Sequence, residues 1–241
     1  MKKIIAVIPA RYQSSRFPGK PLAMIAGKMM IERVYERVKE VPEIQEVLVA
    51  TDDIRIFDVV TAFGGKAVMT GECSCGTERV YETVRDIACD IVINVQGDEP
   101  LIQKEMIQDL IITFADKDVC MATLKKKITE QDDINNPNIV KVITDKNNNA
   151  LYFSRCPIPY NRNESKTIYY KHIGIYGYTK KFLKKYVKMQ RTELEKSENL
   201  EQLRVLENGF DIRVRETLYE SIGVDLPEHI ERVERALKNG E

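Results

Sequence analysis

The chain has 241 residues, of which 43% are hydrophobic and 31% charged, an ordinary composition for one large or two small globular domains. Its 37 Lys and Arg side chains balance 37 Asp and Glu side chains, which argues against a broad basic surface for nucleic acid. No apolar run reaches the roughly 20 residues of a membrane-spanning helix. Five cysteines without a secretion signal predict reduced thiols and a cytoplasmic protein. The balanced charge and the short apolar runs predict neither a nucleic-acid nor a membrane partner.

Strand and helix patterns alternate through the first half of the chain. Short apolar runs between turn residues predict strands, and apolar residues at helical spacing predict helices. The predicted strands cover 3–9, 46–51, 66–70 and 91–96, and the predicted helices cover 29–41, 53–65, 76–88 and 104–115. This alternation indicates βαβ units with a parallel sheet, whose ligand lies beyond the carboxyl ends of the strands.

The second half has a more mixed pattern. Strands are predicted over 119–128, 139–155, 169–179 and 211–217, with the turn DKNNNA making an antiparallel hairpin of 139–155. Helices are predicted over 180–189, 197–209 and 227–239. The polar segment 157–167 is expected to leave the body of the domain, and no repeat or linker interrupts the chain.

The loop after the first strand concentrates cations and small polar residues: Arg11, Ser14, Ser15, Arg16, Gly19 and Lys20. Cations with exposed backbone donors at a strand end suit a polyphosphate, although the P-loop pattern GxxxxGK[ST] is absent. The alternative is a solvated loop with surface cations. The position of this loop after the first strand of a parallel sheet favours phosphate binding over that alternative.

Acidic residues follow another strand, in NVQGDEP, where Asp98 and Glu99 come after Gln96. A carboxylate there can hold Mg²⁺ beside phosphate oxygens, and the alternative is a simple turn built on Gly97 and Pro100. Paired with the cationic loop, this strand end predicts a metal–triphosphate site.

Several further positions have a structural interpretation, and two of them also have a functional alternative. Asp52 or Asp53 is predicted to cap the following helix. Arg79, in the helix start CGTER, either meets a base or phosphate or faces solvent. Asp225 is either a helix N-cap or a second magnesium ligand. His172 is by default a hydrogen-bonded strand histidine.

The cysteines and histidines predict neither a zinc site nor covalent catalysis. Cys73 and Cys75 lack the CxxC spacing of zinc ligands, and His172 and His229 are the only histidines in the sequence. No Ser-His-Asp or Cys-His set is evident in the pattern.

Together these segments resemble the bacterial 3-deoxy-manno-octulosonate cytidylyltransferases, also called CMP-Kdo synthetases. The resemblance covers nearly the whole chain and rests on blocks in matching order: VIPARYQSSRFPGKPL, ATDD, GTER, VINVQGDEP, NPNIVKVI, ALYFSRCPIPY, HIGIYGY, LEQLRVL and GVDLPE. It implies one cytidylyltransferase domain over 1–241 with a nucleotide-diphospho-sugar transferase-like, Rossmann-like α/β fold. The fold has a mostly parallel mixed sheet flanked by helices, and an antiparallel arm in the second half makes a homodimer.

The resemblance also implies the reaction and its residues. CTP and Kdo (3-deoxy-D-manno-octulosonate) would give CMP-Kdo and pyrophosphate with Mg²⁺, for outer-membrane lipopolysaccharide or for capsule. By matching position, Asp98 and Asp225 would hold the metal, and Arg16 and Lys20 would join them in catalysis. The implied nucleotide set is Ala10, Arg11, Ser14, Arg16, Lys20, Cys75, Gly76, Thr77 and Arg79. The implied sugar set is Gln96, Arg155, His172, Tyr176, Glu201 and Gln202, with Arg155 on the carboxylate.

The chain departs from the family pattern in three places. Cys75 stands where Ser is common, the segment 157–167 is shorter than in some relatives, and the stretch before Glu198 lacks an acidic and histidine pattern common in some members. Two alternative functions therefore stay open: a cytidylyltransferase for another acid sugar, such as 8-amino-Kdo or a nonulosonate, and a non-catalytic nucleotide-binding regulator.

Overall fold

The computed structural model describes residues 2–14, 16–162 and 167–239. The strands are β1 (Ile4–Ala10), β2 (Met24–Ile25), β3 (Lys28–Met29), β4 (Glu46–Thr51), β5 (Ala67–Met69), β6 (Ile91–Asn94), β7 (Met121–Lys127), β8 (Lys141–Thr144), β9 (Ala150–Ser154), β10 (Tyr170–Thr179) and β11 (Arg213–Glu216). The helices are α1 (Met30–Lys39), α2 (Ile54–Ala62), α3 (Gly76–Val84), α4 (Lys104–Ile112), α5 (Gln131–Asn135), α6 (Lys180–Tyr186), α7 (Glu193–Glu198), α8 (Leu203–Glu207) and α9 (His229–Lys238). In these described ranges, no helix has the length and apolar character needed to cross a membrane.

The chain divides into two compact units. The first comprises Met1–Gln108 and Glu220–Glu241, and the second comprises Asp109–Tyr219. The first unit is therefore discontinuous in sequence, so Asp98 and Asp225 belong to the same unit although the whole second unit separates them along the chain. That 1–241 acts as one cytidylyltransferase domain stays a prediction.

The first unit contains a parallel sheet with the strand order β6-β1-β4-β5. The central strand β1 is apolar over most of its length because it is covered on both faces, and Ile5, Ala6, Val7 and Ile8 have no exposed surface. Helices α1, α2 and α3 contact these strands. The predicted βαβ alternation is confirmed here, and the carboxyl ends of the parallel strands share one edge of the sheet.

Local signals set the helix starts in this unit. Asp53 is the N-cap of α2, and its carboxylate accepts a hydrogen bond from the Arg55 backbone N–H at 3.0 Å, which confirms the capping prediction. Helix α3 begins at Gly76 with Cys75 as its N-cap. The alternative N-cap role of Asp225 is wrong, because α9 begins at His229 and its N-cap is Glu228.

The second unit is mixed rather than parallel. Strand β7 pairs in parallel with β11 and antiparallel with β10, and β10 pairs antiparallel with β8. Strands β8 and β9 form the predicted antiparallel hairpin. The predicted excursion over 157–167 includes residues 163–166, which lie outside the described residues, and its role as a dimerisation arm stays a prediction.

Several elements differ from the sequence prediction, among them the short helix α5, which was not predicted. The helix predicted over 197–209 is instead two helices, α7 and α8, because Asn199 takes a left-handed conformation (φ 52°) and ends α7. The small hairpin of β2 and β3 was not predicted, since strands of two residues are too short to show an alternating pattern.

A buried ion pair ties α7 to α8 in the second unit. The Arg204 guanidinium donates two hydrogen bonds to the Glu195 carboxylate, from Nε at 2.7 Å and from Nη2 at 2.5 Å. Both side chains are almost fully buried. Burial alone would raise the pKa of Glu195, but the hydrogen bonds and charge of Arg204 hold that pKa below its usual value.

The substitution Arg204→Ala is expected to lower the free energy of unfolding by about 3 kcal/mol, because the buried Glu195 would lose its buried partner and keep only the exposed Arg191 and the Thr192 backbone N–H. Urea denaturation followed by circular dichroism measures this change. Lys196→Ala is the matched control, since it breaks the exposed Lys196–Glu193 pair of the same helix and should cost under about 1 kcal/mol. Equal losses in the two variants would contradict the expectation.

Candidate active site

The loops after β1 and β6 line a cavity of about 340 Å³ in the first unit. The sequence-predicted residues that line this cavity are Ala10, Arg11, Ser14, Arg16, Lys20, Gln96 and Asp98. The structure therefore brings the predicted cationic loop and the predicted acidic strand end together. Ser15, which the sequence also placed in this loop, lies outside the described residues.

Two glycines allow these loops to close on each other. Gly19 has φ 73°, a left-handed conformation that side chains rarely adopt, and its N–H donates to the Tyr12 carbonyl at 2.8 Å. A Cβ on Gly97 would lie 2.9 Å from the Pro9 carbonyl oxygen, so only glycine lets the loop after β6 approach the end of β1 so closely.

Lys20 lies between two carboxylates at the edge of this cavity. Its Nζ is 2.5 Å from Oδ2 of Asp98 and 3.6 Å from Oδ1 of Asp225. Arg16 reaches the same Asp225 oxygen at 3.1 Å through Nη2. The Lys20 side chain is only 15% exposed, whereas that of Asp225 is 49% exposed. The four residues predicted to be catalytic are thus one connected set of charges.

Glu99 adds a third carboxylate beside this set. Burial and the neighbouring charge of Asp98 raise the pKa of Glu99 to about 7, against the lowering effect of a hydrogen bond from the Ser221 hydroxyl. Burial is the main cause of this raised pKa, and the negative charge of Asp98 adds to it. The carboxylates gathered around Lys20 give the set the electrostatic character of a cation site.

The donors fit a magnesium ion only in part. Across the described ranges, no three His, Cys, Asp or Glu side chains gather to hold a metal. Mg²⁺ commonly takes one or two protein carboxylates and completes its six ligands with phosphate oxygens and water. Asp98 and Asp225 match that pattern, with Lys20 now bridging the two carboxylates.

A second cavity, of about 410 Å³, lies between the loop after β1, the end of β4 and the segment before α3, and none of the predicted nucleotide residues Cys75, Gly76, Thr77 and Arg79 lines it. It is lined by Arg11, Tyr12, Gln13, Asp52, Asp53, Glu72 and Cys73. Arg11 and Gln13 line both cavities, so the loop after β1 borders each of them. The carboxyl ends of β1, β4 and β6 therefore meet around neighbouring openings, as the topology of the parallel sheet requires.

Arg79 is fully buried, so the alternative of a solvent-facing arginine is wrong. Its Nη1 donates to the Thr70 hydroxyl and its Nη2 donates to the Asp52 carboxylate. Asp52, the sequence's other capping candidate, thus pairs with Arg79 instead. Within the described residues the buried Nε of Arg79 has no hydrogen-bond partner. Thr77 is also buried, one residue into α3.

The cysteines near α3 are thiols, and none of the five, all within the described residues, forms a disulfide. Burial, together with the hydrogen bond to Glu82, raises the pKa of Cys73 to about 12. The Cys73 Sγ–Glu82 Oε2 distance is 3.2 Å. A thiol held protonated in this way is a poor nucleophile, which agrees with the absence of a predicted covalent mechanism.

Most of the predicted sugar residues lie in the second unit, around His172. The Thr123 hydroxyl has carbonyl acceptors at Ile173 (3.1 Å) and Ile175 (2.8 Å), and its oxygen is 2.9 Å from Nε2 of His172. Since a hydroxyl has one proton and the carbonyls only accept, the geometry favours Nε2–H as the donor to Thr123. His172 is thus the hydrogen-bonded strand histidine of the default interpretation. Burial lowers its pKa to about 3.

Tyr176 and Gln202 form a buried polar pair in the same unit. The Tyr176 hydroxyl donates to Oε1 of Gln202 at 3.1 Å, and burial raises the pKa of Tyr176. The Nε2 of Gln202 is buried with no partner among the described residues. An amide nitrogen without an acceptor is costly in a protein interior, which points to an acceptor supplied by a ligand.

The remaining predicted sugar residues are held differently. Arg155 donates from Nε to the Glu198 carbonyl at 2.8 Å and from Nη1 to the Pro137 carbonyl at 2.9 Å, so its guanidinium is already partly occupied. Glu201 accepts from the Tyr186 hydroxyl through its backbone carbonyl at 3.3 Å. Gln96 belongs to the first unit and lines the cavity of about 340 Å³ between the loops after β1 and β6.

The sequence interpretation missed the residues that support this site. Thr123 and Thr70 lie in or beside strands, and Ser221 lies in an irregular segment, with no motif around them. Only the fold places these hydroxyls next to His172, Arg79 and Glu99.

Known proteins similar to this chain decide the family. The sequence model of the family described as Cytidylyltransferase matches residues 5–217. A 3-deoxy-manno-octulosonate cytidylyltransferase of Thermodesulfovibrio yellowstonii is 50% identical over 97% of both chains, and one of Fusobacterium nucleatum is 52% identical over 98% of this chain and 97% of that one. The chain belongs to the 3-deoxy-manno-octulosonate cytidylyltransferase family.

Solved structures agree with this family in fold. A CMP:2-keto-3-deoxy-manno-octonic acid synthetase complexed with CTP matches with a TM-score of 0.95 and 43% identity, over 99% of this chain and 100% of that chain. A 4-diphosphocytidyl-2C-methyl-D-erythritol synthase of Anaerococcus prevotii, covering 98% of this chain and 96% of that one, has a TM-score of 0.65 at 18% identity and shows the shared fold alone. The predicted fold class, a mostly parallel mixed sheet flanked by helices, is confirmed.

The depressed pKa of His172 predicts an acid-sensitive fold. The unfolded chain would bind a proton near pH 6.5 and the folded chain only near pH 3, so stability is lost as pH falls from 6.5. Between pH 7 and pH 5 this group alone lowers the free energy of unfolding by about 2 kcal/mol. Urea denaturation of the wild type and His172→Gln at both pH values isolates this effect. The same pH dependence in both proteins would contradict it.

Proposed function

We propose that this chain transfers the cytidylyl group of CTP to the anomeric hydroxyl of Kdo. The new bond joins the sugar oxygen to the α-phosphorus, the bond between the α-phosphorus and the bridging oxygen breaks, and pyrophosphate and the hydroxyl proton are released. One observation carries the proposal: Arg16, Lys20, Asp98 and Asp225 meet as a single charge network beside a cavity lined by the loop after β1.

The first unit would bind and orient the triphosphate. Arg11, Arg16 and Lys20 supply positive charge, and Ser14 and the open loop backbone supply hydrogen-bond donors. Phosphoryl-transfer enzymes work chiefly by alignment and charge neutralisation, which these residues can provide. The buried Nε–H of Arg79 has no partner among the described residues, and it could donate a hydrogen bond to the carbonyl oxygen of cytosine.

Asp98 and Asp225 would hold Mg²⁺ when the nucleotide is bound. The ion supplies Lewis-acid polarisation of the phosphate oxygens. Lys20 then has to leave the two carboxylates and pair with phosphate oxygens, which its flexible side chain permits.

The second unit would recognise the acid sugar. The unpartnered Nε2 of Gln202 can donate to a sugar hydroxyl, and the Tyr176 hydroxyl fixes the orientation of that amide. The remaining N–H groups of Arg155 suit a carboxylate, while His172, Gln96 and Glu201 stay predicted contacts. The homodimer and the cytoplasmic location also stay predictions of the family resemblance.

Pyrophosphate release from CTP measures the activity and separates the alternatives. We expect release with Kdo and Mg²⁺, and little release with ATP or GTP in place of CTP. A panel containing Kdo, 8-amino-Kdo and a nonulosonate identifies the sugar acceptor. CTP binding without pyrophosphate release for any sugar would overturn the proposal in favour of a nucleotide-binding regulator.

The metal assignment is tested by Asp98→Asn and Asp225→Asn. Each change removes a negative ligand while keeping the side-chain shape, so kcat is expected to fall on the order of 100-fold. Asp58→Asn, on the exposed face of α2, is the control and should stay within about twofold of the wild type. Near-normal kcat in either active-site variant, with the fold intact by circular dichroism, would show that its carboxylate is not a ligand.

A further inference from the structure

Two segments distant in sequence carry the carboxylates of the cation site. Asp98 lies in the loop after β6, and Asp225 lies in the irregular segment before α9. The backbone N–H of Val224 donates to the Asp98 carbonyl at 2.9 Å. The Val224 side chain is buried in an apolar cluster that includes Leu101. The distance between the carboxylates therefore depends on how these two segments are fastened.

A side-chain contact fastens the same segments a second time. The Ser221 hydroxyl donates to Oε2 of Glu99. The other oxygen, Oε1, would lie 3.2 Å from a Cβ added at Gly223, so the carboxylate is closely packed against the 221–223 backbone. Both Glu99 oxygens are thus directed at the segment that carries Asp225. The proposed reaction assigns this pair no role.

Asp225 depends on this fastening because its own side chain has few fixed neighbours. It is about half exposed, and its side-chain partners Arg16 and Lys20 are flexible cations that would pair with phosphate when CTP binds. Its backbone N–H faces Nδ1 of His229 at 3.2 Å, which ties it to α9 rather than to Asp98. Once the cations move, the backbone of 221–225 is what keeps Asp225 opposite Asp98.

We propose that Glu99 and Ser221 are positioning residues that hold Asp225 opposite Asp98 and thereby set the divalent-cation affinity of the nucleotide-bound site. The inference rests on the proposed function, since it needs Asp98 and Asp225 to share a cation. Outer residues that orient metal ligands commonly affect metal affinity by about 10- to 100-fold. Neither Glu99 nor Ser221 needs to touch the cation for this effect.

The test measures Mn²⁺ affinity by electron paramagnetic resonance of free Mn²⁺ at saturating CTP without sugar, after subtraction of the Mn²⁺ that the same CTP concentration binds in the absence of protein. Ser221→Ala is expected to weaken Mn²⁺ binding about 10-fold, whereas Ser221→Thr, which keeps the hydroxyl, should stay within about threefold of the wild type. Glu99→Gln keeps an acceptor oxygen and should also retain affinity. Ser197→Ala, an exposed serine in α7, is the matched control.

The cation affinity is compared with CTP affinity in EDTA and with the melting temperature, which a purely structural role would change instead. Wild-type Mn²⁺ affinity in Ser221→Ala, or equal weakening in Ser221→Thr, would overturn the positioning role. A double variant Glu99→Ala/Ser221→Ala should bind Mn²⁺ no more weakly than the more damaging of its two single variants. Additive losses in the double variant would also overturn the positioning role. The wild type tests the proposed function separately, through its own Mn²⁺ binding and pyrophosphate release.

Discussion

The ammonium group of Lys20 holds the site together by neutralising two carboxylates, Asp98 and Asp225, that come from the two separate sequence segments of the first unit. Asp98 and Asp225 would repel each other in a partly buried setting without a cation between them. The positive charges of Lys20 and Arg16 offset this repulsion. Burial raises the pKa of the neighbouring Glu99, and the charge of Asp98 adds to that effect.

The two carboxylates reach Lys20 by different routes in the discontinuous first unit. The parallel sheet brings the loops after β1 and β6 to one edge, which accounts for the cationic loop and Asp98. Asp225 does not come from a strand end of this sheet. It arrives on the segment before α9, after the chain has completed the second unit, and it is fastened through Val224 and Ser221.

The second unit buries several polar side chains. Its antiparallel strands place Thr123 beside His172, and β10 also carries Tyr176, which faces Gln202. Most of the hydrogen-bonding capacity is satisfied internally, as a protein interior requires. Among the described residues, the Nε2 of Gln202 and the Oγ1 of Thr192 are exceptions in this unit, and the Nε of Arg79 is one in the first unit. Buried donors without acceptors are where bound substrates are expected to complete the structure.

The sequence by itself determined most elements of the first unit, apart from the hairpin of β2 and β3, because strand and helix patterns there agree with turn and capping residues, as at Asp53 and Gly76. It also determined the identity of the charged loop residues and, by resemblance, the family. Tertiary structure alone decided that Arg79 is buried and that Asp225 faces Lys20 instead of capping a helix. These outcomes depend on contacts between residues far apart in the chain, such as Arg79 with Asp52 or Glu99 with Ser221, which no local pattern encodes.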